Sequence, residues 1–148
     1  MPSIVGEQGS EADILEQAVK LEQDCLAAYT QAMQRLKDAQ LSGEIGRLVA
    51  DHRARLARLQ RRLAETAMGQ PSPNPLTAAL NRGKVELGRL LGDRAILLAV
   101  RNNADDTALA YGQVAERVEL SEPTRQMFRD MHQEARRHQA WFEALPSS

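Results

Sequence analysis

The eight residues DCLAAYTQ, from Asp24 to Gln31, recur later in the chain as DTALAYGQ, from Asp106 to Gln113, with Asp, Ala, Tyr and Gln at identical offsets. Each copy sits in a run whose apolar residues return every three to four positions, the period of an amphipathic helix. Each run is followed, after a short break, by a second one of the same period. Short breaks force antiparallel neighbours, so the chain reads as two helical hairpins related by an internal repeat.

Working outward from the first copy, a helix is expected over residues 11–36, beginning between Glu11 and Asp13, with Ile14, Ala18, Leu21, Cys25, Ala28 and Ala32 on its inner stripe. A second helix is expected over 39–67, capped by Asp38, with Ile45, Leu48, Val49, His52, Leu56, Leu59 and Leu63 inward. Pro71, Pro73 and Pro75 cannot all lie inside a helix, so they mark a long, stiff crossover. It is expected to carry a short extra helix over 75–91 that stops at Gly92. Asp93 can cap a helix over 93–118 bearing Ile96, Val100, Ala104, Tyr111 and Val114. Ser121 and Pro123 open the last, over 122–145, with Met127, Phe128, Met131, Ala135, His138, Trp141 and Phe142 inward. The fold class is therefore all-α: a ferritin-like up-down four-helix bundle with a long crossover, one domain over 11–145 behind a flexible tail at 1–10.

Composition agrees. Aromatic residues are 3% of the 148 and strong helix formers dominate. A net charge of −1, with 26% charged residues, gives no global field to recruit nucleic acid or an anionic membrane, and no apolar run approaches the roughly 20 residues of a membrane span. Neither partner is expected. The N-terminal MPSIVGEQGS lacks a cationic start and an apolar run, so no signal peptide is read there. Cys25 is the only cysteine, which excludes an intrachain disulfide and fits a reducing, cytoplasmic compartment.

One residue breaks the pattern. Glu22 falls among the inward positions Leu15, Val19, Leu26, Tyr29 and Met33, where a carboxylate must find a partner. In ferritin-like di-iron bundles, two helices give one Glu each and the other two give Glu-x-x-His. At about 1.5 Å per residue, Glu22 and His52 lie level with each other when counted from the turn near residue 37, and Ala104, Glu134 and His138 lie level when counted from the turn near 120. The set is incomplete: Ala104 stands where the repeat places the counterpart of Glu22, Val49 precedes His52 by three residues, and Ala135 precedes His138 by three. Glu134, four residues before His138, stays on the same face. Glu22, His52, Glu134 and His138 are thus candidate ligands for a single Fe, Mn or Zn ion. Without a metal, Glu22 needs a hydrogen bond from His52, His138 or Tyr111, and this second reading is the preferred one.

Other residues carry less. Cys25 reads as small core filler and His132 as an exposed stripe-edge residue. The run HRARLARLQRR, with Arg53, Arg55, Arg58, Arg61 and Arg62, is paced by Leu56, Leu59 and Leu63 as an ordinary amphipathic helix, so its arginines read as a solvated or salt-bridged face. Gly83 and Gly88 form no phosphate loop, since no strand or Gly-Lys-Ser/Thr signature accompanies them.

The stretch PLTAALNRGKVELGRLLGDRAILLAV, with Ala79, Leu80, Arg82, Gly83, Leu87, Gly92, Ala95, Ile96 and Leu97, resembles an uncharacterised bacterial family of ferritin-like four-helix-bundle proteins. The resemblance runs from about Ile14 to Leu145 and includes Asp38 and Asp93. It implies the fold, and it implies a carboxylate pair at the places of Glu22 and Ala104, of which this chain keeps only the first. The expected function is a non-catalytic structural, stress-associated or interaction protein with a degenerate metal site, associating with itself. Its rivals are an iron-binding oxidoreductase of ferritin or rubrerythrin type and a scaffold that binds a helix of a partner protein.

Overall fold

The computed structural model describes residues 4–66 and 92–146, with side chains from Glu11 onward. Four helices are found there and no strand: α1 (Ile4–Arg35), α2 (Ala39–Ala64), α3 (Asp93–Ala115) and α4 (Glu122–Glu143). α1 packs along α2 and α3 along α4, and the two hairpins meet through α1 on α3 and α2 on α4. Contacts between Tyr29 and Val100, then Cys25 and Asn103, then Glu22 and Tyr111, run in opposite chain directions, so α1 and α3 are antiparallel. Those between Arg62 and Thr124, then Arg55 and Glu134, make α2 and α4 antiparallel too. α2 therefore ends, and α3 begins, at opposite ends of the bundle. No helix of the described residues is long and apolar enough to cross a membrane.

The helices sit close to their expected bounds, with one extension. α1 starts at Ile4 rather than at Glu11, because nothing in Ile4–Ser10 breaks a ladder that, once nucleated, gains one hydrogen bond per residue fixed. α2, α3 and α4 stop two or three residues short of expectation, within the usual fraying of helix ends. The expected helix over 75–91 lies outside the described residues. The interior is continuous: Ile14, Leu15, Leu21, Ile45, Leu59, Ile96 and Phe128 are all buried to 2% exposure or less. Burying such a side chain contributes about 1.5–3 kcal/mol.

Caps hold the hairpins in register. Asp38 caps α2 as expected, accepting from Gln40 N at 2.9 Å and Leu41 N at 3.1 Å. Asp93 does not cap its own helix. The N-cap of α3 is Gly92, at φ 85°, which a side chain would resist, and Asp93 turns to the α1–α2 turn, accepting from Lys37 N at 2.8 Å and Asp38 N at 2.9 Å. Those bonds hold the Asp93 carboxyl below its usual range. At the far end Glu11 of α1 accepts from Ser121 N at 2.8 Å and from the Thr124 hydroxyl at 2.8 Å, pinning the start of α4. Each hairpin thus carries a carboxylate that closes a turn of the other. Between α3 and α4, Gly112 lies against the His132 ring, and a Cβ there would come within 2.8 Å of it.

Candidate functional site

Midway along the bundle the core turns polar. Glu22 of α1 is completely buried and uses both oxygens: Oε1 accepts from His52 Nδ1 of α2 at 2.6 Å, and Oε2 accepts from the Tyr111 hydroxyl of α3 and from Arg55 Nη1 at 3.4 Å. Arg55 is the hub. Its Nε donates to Glu134 Oε1 of α4 at 2.5 Å and its Nη2 to His138 Nδ1 at 3.4 Å, while the guanidinium carbon stands 6.0 Å from the Tyr111 ring centre. His138 Nε2 in turn donates to Asp51 Oδ2 at 3.0 Å, at the rim of the core. The His52 and His138 rings lie 5.4 Å apart, centre to centre.

The electrostatics are consistent with these roles. Burial by itself would raise the Glu22 pKa, but the charge and hydrogen bond of His52, the Arg55 guanidinium and the Tyr111 hydroxyl bring it down to about 2. Glu22 is an anion. Burial disfavours the Arg55 charge as well, yet the neighbouring Glu22 and Glu134 hold its pKa above the usual value, so it stays a cation. Tyr111 is pushed up by burial and by the charge of Glu22, which keeps its proton in place as a donor. His138 is brought down to about 4, first by burial and then by Arg55, against the opposing pull of Asp51. A neutral ring with its proton on Nε2 suits both contacts: it donates to Asp51 and offers Nδ1 to the guanidinium.

All four candidate ligands, Glu22, His52, Glu134 and His138, come to this one layer, with Ala104, Val49 and Ala135 buried around it. What they surround is a side chain. The Arg55 N–H groups point at Glu22, Glu134 and His138, so the lone pairs that a metal would use there already accept from a cation built into the chain. The reading of Arg55 as part of a solvated or salt-bridged face is corrected in its placement: Arg55 is salt-bridged, to Glu22 and Glu134, but inward, 1% exposed and the largest fully buried side chain among the described residues. Its neighbours behave as expected, Arg53 and Arg61 exposed and Arg58 and Arg62 half-buried. Arg55 follows His52 by one turn and precedes Leu59 by one, so it lies on the inner stripe. An inward carboxylate at the same level is the signal that would have assigned it there. His132, expected at the surface, is half-buried and bonded through Nδ1 to the Ala108 carbonyl at 2.8 Å.

A second grouping includes Cys25. Ligand atoms of Glu22, Cys25 and His52 lie within 4.8 Å of one another, and this buried group could hold a metal ion. His52 Nε2 has no hydrogen-bond partner among the described residues, as a ligand nitrogen would not. The thiol fits less well. It donates to Asn103 Oδ1 at 3.3 Å and lies 3.8 Å from the Thr107 hydroxyl, and burial together with the charge of Glu22 pushes it well above the ordinary thiol range, whereas a metal takes the thiolate.

Comparison of the chain with protein-family models, with curated proteins and with solved structures finds no match.

Proposed function

We propose that this chain is a metal-independent bundle of ferritin-like type, in which a guanidinium occupies the place of the metal, and that it serves as a structural or interaction protein rather than as an enzyme. The observation that carries the reading is Arg55 of α2, whose three bonding nitrogens meet Glu22 of α1 and Glu134 and His138 of α4. An arginine in that position does for the bundle what a bound ion does for a metalloprotein: it neutralises inward carboxylates and ties the helices that bear them. It also closes the layer to oxygen chemistry, because a guanidinium has neither an open coordination position nor a second oxidation state. The opposite starts of α3 and the end of α2, and the missing partner of Glu22 at Ala104, support the ferritin-like element of the proposal. A lone buried thiol suits a reducing compartment, so the cytoplasm is the proposed place of action.

Anaerobic titration with Fe(II), Mn(II) and Zn(II), followed by metal analysis, tests this. No stoichiometric uptake is expected by the native protein. One equivalent bound by the native chain and lost in Glu22→Ala would overturn the reading. The orphaned His52 Nε2 favours one rival, a metal on Glu22, Cys25 and His52. Co(II) distinguishes it, since thiolate ligation gives an intense near-ultraviolet band that Cys25→Ser abolishes.

A further inference from the structure

Among the described residues, α3 carries a face whose leucines the other helices leave exposed. Leu98 and Leu109 are each 57% exposed, and they lie about three helical turns apart on the side of α3 opposite the core positions Val100, Thr107 and Tyr111. Between them stand Arg101 and Asp105, both exposed; Arg101 has no partner among the described residues, and Asp105 accepts from Gln139 Nε2 through Oδ1 at 2.9 Å, which leaves Oδ2 for a further partner. Scattered exposed leucines need no explanation. Two on one stripe, bracketing an unused cation and an acid, do.

We propose that this face joins two copies of the chain, α3 packing antiparallel on the partner's α3 about a two-fold axis near residues 103 and 104. The spacing of the four residues selects that arrangement. Leu98 and Leu109 are equidistant from such an axis, so each leucine meets the other kind across it. Arg101 and Asp105 are also equidistant to within one residue, about 1.5 Å of rise. They lie on the same flank of the stripe, and an antiparallel two-fold keeps equal flanks together, so Arg101 faces the partner's Asp105 and the pair forms twice. A parallel pairing loses both ion pairs: its two-fold brings opposite flanks together, so Arg101 of one copy and Asp105 of the other stand on opposite sides of the seam and about four residues apart in height. An isologous contact of this kind is self-complementary and closes at the dimer. The half-exposed Leu97 and Trp141 continue the apolar surface beside Leu98. Because the face lies outside the polar core, the inference stands or falls independently of whether the chain binds metal.

Light scattering on the full chain should give twice the 16.4 kDa of the monomer, and a 16.4 kDa species alone, at the highest attainable concentration, overturns the proposal. Arg101→Glu places like charges at both symmetric contacts and should weaken the dimer by about tenfold or more, as should Asp105→Arg. Mixing the two variants restores both pairs and should restore dimerisation, with circular dichroism unchanged throughout because both residues are exposed. Leu98→Cys mixed with Leu109→Cys should form a disulfide-linked heterodimer, whereas neither variant alone should, its two thiols lying about 16 Å apart along the helices. The buried Cys25 cannot compete. Self-linking of Leu98→Cys, or a dimer indifferent to Arg101→Glu, would assign the contact elsewhere.

Discussion

Tyr29 and Tyr111 stand at equivalent positions in the two hairpins and both are completely buried, yet they serve different surroundings. Tyr29 reaches from α1 to α3 and donates to the Val100 carbonyl at 3.1 Å, a neutral acceptor. Tyr111 reaches from α3 to α1 and donates to the carboxylate of Glu22. Between them Cys25 and Thr107, also equivalent by the repeat, meet each other at 3.8 Å. The difference follows from one position. Seven residues before Tyr29 is Glu22, and the repeat places Ala104 before Tyr111, so only one tyrosine finds an acid on the facing helix. One carboxylate then obliges the core to supply His52, Arg55 and a charged layer, while the hydroxyl of the other tyrosine needs only a neutral acceptor.

The sharpest way to break this contrast is to remove the cation. Arg55→Met keeps most of the volume but leaves Glu22 and Glu134 without their guanidinium, and removing one partner of a buried ion pair costs about 3–5 kcal/mol. Urea unfolding should register that loss in full. Arg58→Met is the control: its contact with Asp130, at 3.7 Å between partly exposed groups, is worth about 0–1 kcal/mol. Adding Glu22→Gln to Arg55→Met should cost less than the sum of the two, since each has removed the other's reason to be charged. Equal stability of the Arg55 and Arg58 variants would show that the layer is not balanced as a unit.

The charged layer also gives the bundle a particular acid sensitivity. Glu22 has a folded pKa of about 2 against an ordinary 4.5, so its contribution is present above 4.5 and is lost as pH falls toward 2. His138 has a folded pKa of about 4 against 6.5. It too is depressed, so the unfolded chain binds the proton first and stability declines as pH falls from 6.5 toward 4. Denaturation measured across these windows should show both declines. Glu22→Gln should flatten the lower one and His138→Gln the upper.

Much of this was legible in the sequence, for reasons that also mark where reading stops. Helical period and short turns located the hairpins, and counting residues from each turn brought Glu22, His52, Glu134 and His138 to one level, because helix rise converts residue number into height directly. Arg55 escaped because hydrophobic periodicity assigns charged residues to the outside by default. The default fails where an inward acid creates demand for a cation one turn from His52 on the next helix. Asp93 escaped for a related reason. An acid at a helix start satisfies the rule for its own cap, and only the meeting of α3 with the α1–α2 turn makes Lys37 and Asp38 its partners.

Tyrosine variants bring the comparison down to single hydroxyl groups. Tyr111→Phe removes a hydrogen bond to an anion, worth about 1.5–3 kcal/mol, and leaves Glu22 with one donor fewer. The same substitution should lift the Glu22 pKa, so its acid transition should begin at a higher pH than in the native chain.

Tyr29→Phe should be the mildest of the series, about 0.5–1.5 kcal/mol, the range for a neutral bond. Its acceptor, the Val100 carbonyl, lies within α3, where the backbone ladder already offers it a donor from the next turn, so no buried charge is stranded when the hydroxyl goes. The ring also lies 4.6 Å from the His52 ring, tilted at 58° to it, and that contact survives as phenylalanine. Acid denaturation gives the decisive readout: Tyr29→Phe should shift overall stability without moving the Glu22 transition, and a moved transition would mean that the neutral and charged sides of the core are one network.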